Sequence, residues 1–479
     1  MSPQDPPNPG NPAPEKSAPE RADAAAGPTS AAPSSGGDGS PLVSARSISL
    51  DLLDAIFRRR KPLDEALAEH AELDKLAPRD RQFVRALVTT TLRHMGQIDH
   101  ALGQCLEKPL PARALLVRNI LRLGAAQIMF LATAPHAAVD TMVTLAATRG
   151  ETAFKGLINA VLRRIARDPQ AFLAAAPAGA VSLPDWLWQS WVKAYGVAKA
   201  TQIATAHLYE PPLDFCCRRP AEAEYWAGQL HARLMPLAGT LRRPVASEGG
   251  DRLHQRVEDL PGYAEGAWWV QDMAAQIPAR LLGNVAGQRV IDLCAAPGGK
   301  TAQLAAAGAQ VTALDRSRPR LARVKENLER LKLHAELEVA DAALWHGGRD
   351  FDAVLLDAPC SATGTIRRHP DVAWLKDPRD LPKLTGTQDR LLDKAISLLR
   401  PGGTLIYCTC SLQPEEGPLR IEAALARHAG MKRDRVHTEE VGGLFELISP
   451  AGDFRSLPSH LAAEGGLDGF YAARLLKAG

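Results

Sequence analysis

The run Arg289-Val290-Ile291-Asp292-Leu293-Cys294-Ala295-Ala296-Pro297-Gly298-Gly299-Lys300-Thr301 decides the fold. Its first five residues are short, apolar and β-branched, the pattern of a strand buried on both faces in a parallel sheet. A Pro-Gly-Gly turn follows, and a helix is read from Thr301 to Ala307. Glycines there let the backbone approach a ligand, and the amides of the helix start face it. The turn has neither the G-x-G-x-x-G spacing nor the upstream glycine of a GxxxxGK[ST] loop, which argues against ATP hydrolysis. Asp315 stands roughly 20 residues beyond Asp292, the spacing at which an acid bonds ribose hydroxyls. Strand, turn, helix and acid together read as a nucleoside site.

Working outward, residues 311–314 read as a strand ending in Asp315, followed by a long helix through Leu331. Strands at 337–339, 353–356 and 405–408 precede Asp341, Asp357 and Cys410, with a helix at 391–399 and a last strand at 469–476. This alternation predicts a parallel, doubly wound, Rossmann-like α/β sheet over 271–479. Ligands in such sheets bind outside the carboxyl ends of the strands, where Asp292, Asp315, Asp341, Asp357 and Cys410 fall.

The 479 residues leave room for more than this domain. Residues 1–44 are rich in Pro, Ala, Ser and Gly and are expected to be a disordered tail. From 45 to about 170, apolar residues recur at three- and four-residue spacing, as in Leu52, Leu53, Ile56 and Phe57, or Leu157, Ile158, Val161, Leu162 and Ile165. This predicts an all-helical domain with a helix start near Pro78 and Asp80. Residues 174–179 read as a linker, and Trp186 to Trp191 as helix. Short mixed elements up to Val270, with a strand around Leu213 to Arg218, suggest a small α/β subdomain over 180–270.

A net charge of +3 does not by itself call for nucleic acid. Basic runs occur at Arg58-Arg59-Arg60-Lys61, Arg163-Arg164, Arg242-Arg243 and Arg367-Arg368, and each alone is more often a solvated face than a phosphate contact. No apolar run of membrane-spanning length is present, and the N-terminus lacks the apolar core of a signal peptide. Seven cysteines, an odd number without framework spacing, predict free thiols in a reducing cytoplasm.

Two of those thiols carry the chemistry. Cys360 lies in Asp357-Ala358-Pro359-Cys360-Ser361, and Cys410 in Tyr407-Cys408-Thr409-Cys410-Ser411, each just after a strand. A strand cysteine is ordinarily an inert small hydrophobe, the reading for Cys294 and Cys408. Cys408-x-Cys410 has no second pair or histidine cluster to complete a zinc site, so no metal is expected. A thiolate near the amides of a helix start has a lowered pKa and is a better nucleophile, the expectation at Cys360 and Cys410.

These motifs resemble the cytosine-C5 RNA methyltransferases of the Sun/Nol1/Nop2 family, and most of all its bacterial small-subunit ribosomal RNA branch. The resemblance is carried by Asp292 to Thr301, by Asp357 to Asp371, by Thr409 to Gly417, and by Trp269-Val270-Gln271-Asp272-Met273-Ala274-Ala275-Gln276. Ala362 departs from it, standing where the family has Gly in its Pro-Cys-Ser-Gly-Thr-Gly run. The helical region resembles a NusB-like RNA-binding domain through Pro78-Arg79-Asp80-Arg81-Gln82-Phe83, Leu121-Arg122-Leu123-Gly124-Ala125-Ala126 and residues 154–164.

The resemblance implies S-adenosyl-L-methionine as cofactor and ribosomal RNA as partner; the lack of a membrane-length apolar run predicts no membrane partner, and nothing in the sequence calls for more than a monomer. It implies that Cys410 is the nucleophile, that Cys360 assists release, and that Asp357 bonds the base or the cofactor. Asp315 would hold the ribose, Asp341 the adenine amino group, and Cys294, Ala295, Ala296, Pro297, Gly298, Gly299 and Lys300 the amino-acid moiety. Arg367-Arg368-His369 is expected to contact phosphates, with Arg163 and Arg164 as further candidates. Transfer RNA or large-subunit RNA under the same chemistry, and a non-catalytic RNA-binding or antitermination factor, are the rival readings.

Overall fold

A computed structural model describes residues 45–245, 256–348 and 350–479. The expected disordered tail over 1–44 lies outside the described residues. Eight helices come first: α1 (Ala45–Arg59), α2 (Leu63–Glu69), α3 (Pro78–Arg93), α4 (Met95–Cys105), α5 (Leu115–Met129), α6 (Pro135–Thr148), α7 (Lys155–Arg167) and α8 (Pro169–Ala174). Their apolar faces meet in one core. Leu52, Leu53 and Ile56 of α1 pack with Val84 and Leu87 of α3, Ile120 and Leu121 of α5, and Ile158, Val161, Leu162 and Ile165 of α7. The three- and four-residue spacing on α7 places those four side chains in the core, and all are buried.

The long helix α9 (Asp185–His207) leads to a four-stranded antiparallel sheet in the order β2-β3-β1-β4, built from β1 (Leu213–Cys217), β2 (Arg233–Leu234), β3 (Thr240–Arg243) and β4 (Trp268–Val270). Helix α10 (Ala223–Leu230) crosses between β1 and β2. Phe215, Leu230, Leu241 and Trp268 form its core. Arg242 and Asp214 pair inside it with both side chains fully buried, at Nε–Oδ1 2.7 Å and Nη2–Oδ2 2.7 Å. The basic run Arg242-Arg243 is thus a structural pair at its first member, neither solvated nor facing a phosphate.

After α11 (Met273–Arg280) comes the large sheet. Its elements are β5 (Arg289–Leu293), α12 (Gly299–Ala306), β6 (Gln310–Asp315), α13 (Arg318–Leu331), β7 (Glu336–Val339), β8 (Phe351–Asp357), α14 (Val372–Leu375), α15 (Leu381–Leu398), β9 (Leu399–Thr409), α16 (Pro418–Arg427), β10 (Met431–Asp434), β11 (Phe454–Ser456) and β12 (Phe470–Lys477). The order is β10-β12-β9-β8-β5-β6-β7, with β11 on β12. Strands β5 to β9 are parallel as expected. The expected all-parallel sheet is nevertheless mixed, because β12 runs antiparallel to β9, and β10 and β11 antiparallel to β12.

The β8–β9 register decides the site. Leu356 lies opposite Tyr407 and Asp357 opposite Cys408. Both chains leave the sheet at the same level, so Cys360 and Cys410 emerge side by side. Ala358 N donates to Cys408 O at 2.9 Å, and Gly364 N to Cys410 O at 2.9 Å. Gly364 has no room for a side chain: a Cβ there would sit 1.9 Å from Gly469 O, just before β12.

Candidate active site

The Cys360 and Cys410 sulfurs are 3.5 Å apart, and both residues are partly buried. The Cys410 hydrogen bond first, then burial and the charges of Cys410 and Glu416, hold the Cys360 thiol well above its ordinary value. The lowered pKa expected of a helix-start thiolate therefore does not apply to Cys360. The motif read as a helix start after Cys410 is a short 3₁₀ turn, Pro414–Glu416, just ahead of α16.

Asp357, at the end of β8, accepts from Lys300 Nζ at 2.7 Å and from Cys408 Sγ at 3.5 Å. Burial works against the Lys300 charge, but the Asp357 carboxylate overcomes it and holds the ammonium above its ordinary pKa. Phe470 covers the same ammonium, its ring centre 4.9 Å away. Cys408 is fully buried, and burial pushes its thiol well up, which fits the inert reading. Cys294 is pushed up to about 12, by burial first and then by the charges of Asp357, Asp315 and Asp292.

The glycine loop is built tightly. Cys294 takes the left-handed conformation at φ +64°, and Gly298 at φ +99°. A side chain on Gly298 would bring its Cβ to 2.9 Å from Val324 Cγ1 on α13. The helix opens at Gly299, two residues before the expected start, because Gly298 in that conformation caps it. Beneath the loop, Asp292 is buried, and Thr301 Oγ1 donates to its Oδ2 at 2.6 Å. Its Oδ1 is buried without a hydrogen-bond partner. Burial raises the Asp292 carboxyl to about 7, with the Thr301 hydrogen bond opposing and the Asp357 charge adding.

A cleft of about 490 Å³ joins these parts. Asp292, Gly298, Gly299, Lys300, Asp357 and Cys410 all line it. Asp315 and Asp341 are set apart from that lining. Asp315 is buried and accepts from Ala296 N at 3.2 Å and Ser317 N at 2.8 Å. Asp341 is exposed two residues past β7 and accepts from Ala343 N at 3.0 Å.

Arg367 and Arg368 are held inward, which corrects the expectation of phosphate contacts. Arg367 is 1% exposed and donates to Leu467 O at 2.9 Å and Gly465 O at 2.9 Å. Arg368 pairs with Asp272 at 2.6 Å and Asp468 at 2.9 Å. Burial disfavours the Asp272 charge, and the guanidiniums of Arg368, Arg367 and Arg242 outweigh it and hold the carboxyl low. Arg163 is exposed and bonds its neighbour Asn159 at 2.8 Å on α7.

The N-terminal helices brace this same loop, a contact no sequence motif announced. His369 Nδ1 lies 3.3 Å from Asp64 Oδ2, Leu63 N donates to Asp371 Oδ2 at 3.0 Å, and Trp374 Nε1 to Leu92 O at 2.9 Å. A second groove of about 560 Å³, lined by Arg81, Arg85 and Arg256 with Asp74 and Glu258, shares Val257 with the cleft.

The chain matches two family models: the NusB family over residues 43–167 and the 16S rRNA methyltransferase RsmB/F family over residues 279–476. It is 39% identical to the ribosomal RNA small subunit methyltransferase B of Pseudomonas putida over 91% of this chain and 98% of that protein. Against the protein of the same name from Escherichia coli O1:K1 it is 34% identical, over 90% and 98%. The crystal structure of PH0851 shares the fold at a TM-score of 0.70, with 22% identity over 90% of this chain and 97% of that one. That of NSun6 from Pyrococcus horikoshii with SFG shares it at 0.52, with 21% identity over 62% and 98%. Among the described residues no helix is long and apolar enough to cross a membrane. With the matches running nearly end to end in its relatives, the chain belongs to the ribosomal RNA small subunit methyltransferase B family.

Proposed function

We propose that the chain transfers a methyl group to carbon 5 of a cytosine in small-subunit ribosomal RNA. The observation that carries the reading is the pair of thiols 3.5 Å apart beside the Lys300–Asp357 pair and the glycine loop. Carbon 5 of cytosine is too poor a nucleophile to react unaided. Cys410 as thiolate adds to carbon 6, which makes carbon 5 enamine-like. Carbon 5 then takes the methyl group and gives its proton to solvent, and the electron pair of that bond re-forms the carbon 5–carbon 6 double bond as Cys410 leaves carbon 6 as thiolate. Cys360, held protonated, assists that release, and Asp357 bonds the base or the cofactor next to the reacting atoms.

S-adenosyl-L-methionine supplies an electrophilic methyl group on its sulfonium. Residues 294–300 are assigned to its amino-acid end: Gly298, Gly299 and Lys300 line the cleft, and beneath them Asp292 Oδ1 is buried without a partner. Asp315 and Asp341 are assigned to the ribose and the adenine amino group. Asp315 already accepts two amides, but a carboxylate has about four lone-pair sites, so a ribose hydroxyl can still be received.

The target base must be splayed out of its stack to reach Cys410, which is easiest in single-stranded or loop RNA. The flanking backbone is assigned to the groove of Arg81 and Arg85, since Arg367 and Arg368 are committed to buried carboxylates and Arg256 pairs with Glu258 at 3.4 Å.

The test is methyl transfer from labelled S-adenosyl-L-methionine to protein-free small-subunit RNA, with bisulfite mapping. Label at one cytosine, abolished by Cys410→Ala, is expected, together with a covalent RNA adduct in Cys360→Ala seen as a gel shift. Full activity in Cys410→Ala overturns the mechanism. Label in transfer RNA or large-subunit RNA instead overturns the substrate.

A further inference from the structure

Glu416 is fully buried. Its carboxylate is a junction between the two cysteine turns. Oε1 accepts from Ser361 N at 2.9 Å and from Gln388 Nε2 at 3.0 Å. Oε2 accepts from Ser411 Oγ at 2.6 Å and from Ser361 Oγ. Ser361 follows Cys360, and Ser411 follows Cys410. Gln388, from α15, also donates to Pro359 O at 3.0 Å, the residue before Cys360. Further bonds close the knot: Leu412 N donates to Thr363 Oγ1 at 3.0 Å, and Gln413 N to Ser411 Oγ at 3.0 Å.

We propose that Glu416 is a positioning residue for methyl transfer, whose carboxylate sets the spacing of Cys360 and Cys410 by tying the residue after each to one point. This rests on the reading of those two thiols as nucleophile and releasing group. The argument is one of acceptor capacity. Four donors converge on Glu416, and only a carboxylate offers about four acceptor sites. A glutamine in its place can keep its oxygen on Ser361 N and Gln388 Nε2 and donate its amide to the two serine hydroxyls, which accept as well as donate, so it exchanges charge-assisted bonds for weaker neutral ones. An aspartate is one methylene too short to reach both. Hydrogen bonds to an ionised acceptor are roughly twice as strong as neutral ones, and these are sheltered from water. Misplacing a reacting group by about 1 Å can cost ~10²-fold in rate.

The experiment uses the full chain as wild type, Glu416→Gln and Glu416→Asp. The first readout needs neither RNA nor cofactor: the rate at which oxidised glutathione, accepting the two electrons, joins Cys360 to Cys410 in a disulfide, followed by peptide mass. The second is kcat and KM for methyl transfer to small-subunit RNA. Expected in Glu416→Asp are cross-linking slowed about tenfold and kcat lowered about 10²-fold, with both KM values within about twofold of wild type, and smaller losses of the same kind in Glu416→Gln. Cross-linking at the wild-type rate overturns the proposal, whatever kcat does. If neither Glu416 variant folds, Ser361→Ala and Ser411→Ala each remove one tie and leave Glu416 in place, and wild-type cross-linking in both overturns it equally. If the wild type methylates no RNA, the reading of the reaction fails, while the cross-linking rates still decide whether Glu416 sets the spacing.

Discussion

Two sets of arginines border the cleft, and they serve opposite ends. Arg367 and Arg368 are adjacent in sequence and lie seven and eight residues past Cys360. Both are turned inward onto Asp468, and Arg368 also reaches Asp272. Arg81, Arg85 and Arg256 are scattered along the chain and line an open groove beside the cleft. A run of like charges is costly in open solution unless something neutralises it, and here buried carboxylates do so. Arg81 and Arg85 stand four apart on α3 without a buried carboxylate between them, while Arg256 pairs with Glu258 at 3.4 Å. Adjacency alone does not decide this, for Arg163 and Arg164 are adjacent and exposed; what separates the sets is the buried carboxylates that face Arg367 and Arg368.

The sharpest way to break this contrast is Arg368→Ala. The substitution leaves Asp272 and Asp468 facing each other, 2% and 5% exposed at their side chains. Removing one partner of a buried ion pair typically destabilises by about 3–5 kcal/mol. That loss should appear in denaturant unfolding of the protein without RNA. A loss of RNA affinity at unchanged stability would return Arg368 to the phosphate contacts.

Asp292 extends the contrast to carboxylates, since it is buried beside Thr301 rather than paired with an arginine. Its folded value of about 7 lies above the ordinary 3.8. Between those values the native state holds a proton that the unfolded chain has lost, so stability falls as pH rises from about 4 to about 7 and levels off above. Asp292→Asn removes this penalty. It should match wild type near pH 4 and exceed it by about 2–4 kcal/mol above pH 7, measured by thermal unfolding without cofactor. A constant difference at all pH values would mean that Asp292 is ionised in the fold.

What could be read from the sequence follows from how local each feature is. The strand at 289–293 and the turn after it carry their pattern within a dozen residues, and the strand ends where expected. Helix α15 begins at Leu381, ten residues before the expected 391. Its first part contains Pro382, Thr385, Gly386 and Thr387, weak helix formers that tertiary contacts such as those of Gln388 override. The antiparallel direction of β12 leaves no mark on its composition, because a buried strand looks the same either way. At the site, both thiols were legible as residues, but their closeness depends on the Asp357–Cys408 register between strands. The partners of Arg368 lie 96 residues before it and 100 after. Glu416 read as part of a helix start, and its burial against Ser361 and Ser411 comes only from the turn between two strands. No local pattern marks it, since burial of the polar residues around it is set by the fold.

The open set of arginines sharpens the contrast from its other side. Arg81→Ala with Arg85→Ala should leave unfolding stability within about 0.5 kcal/mol, as surface changes do. RNA affinity should fall about tenfold, and the slope of log affinity against log salt should shrink by about 0.7 per arginine. Filter binding across a salt series checks both. An unchanged slope would move the RNA backbone off this groove.

The smallest effect lies at Ala362, between the thiols and the buried arginines. This residue takes the left-handed conformation at φ +59°, on the turn from Cys360 toward Arg367. A side chain in that region costs roughly 1–2 kcal/mol, and glycine avoids the clash. Glycine also gives the unfolded chain more freedom, worth about 0.5–1 kcal/mol against it. The two terms nearly cancel, so Ala362→Gly should stabilise by about 0.5 kcal/mol, with kcat little changed. The sign is what matters. If the glycine variant proves less stable, the alanine methyl makes a packing contact that outweighs its strained backbone, and the turn between the thiols and the buried arginines is held by its side chains as much as by its hydrogen bonds.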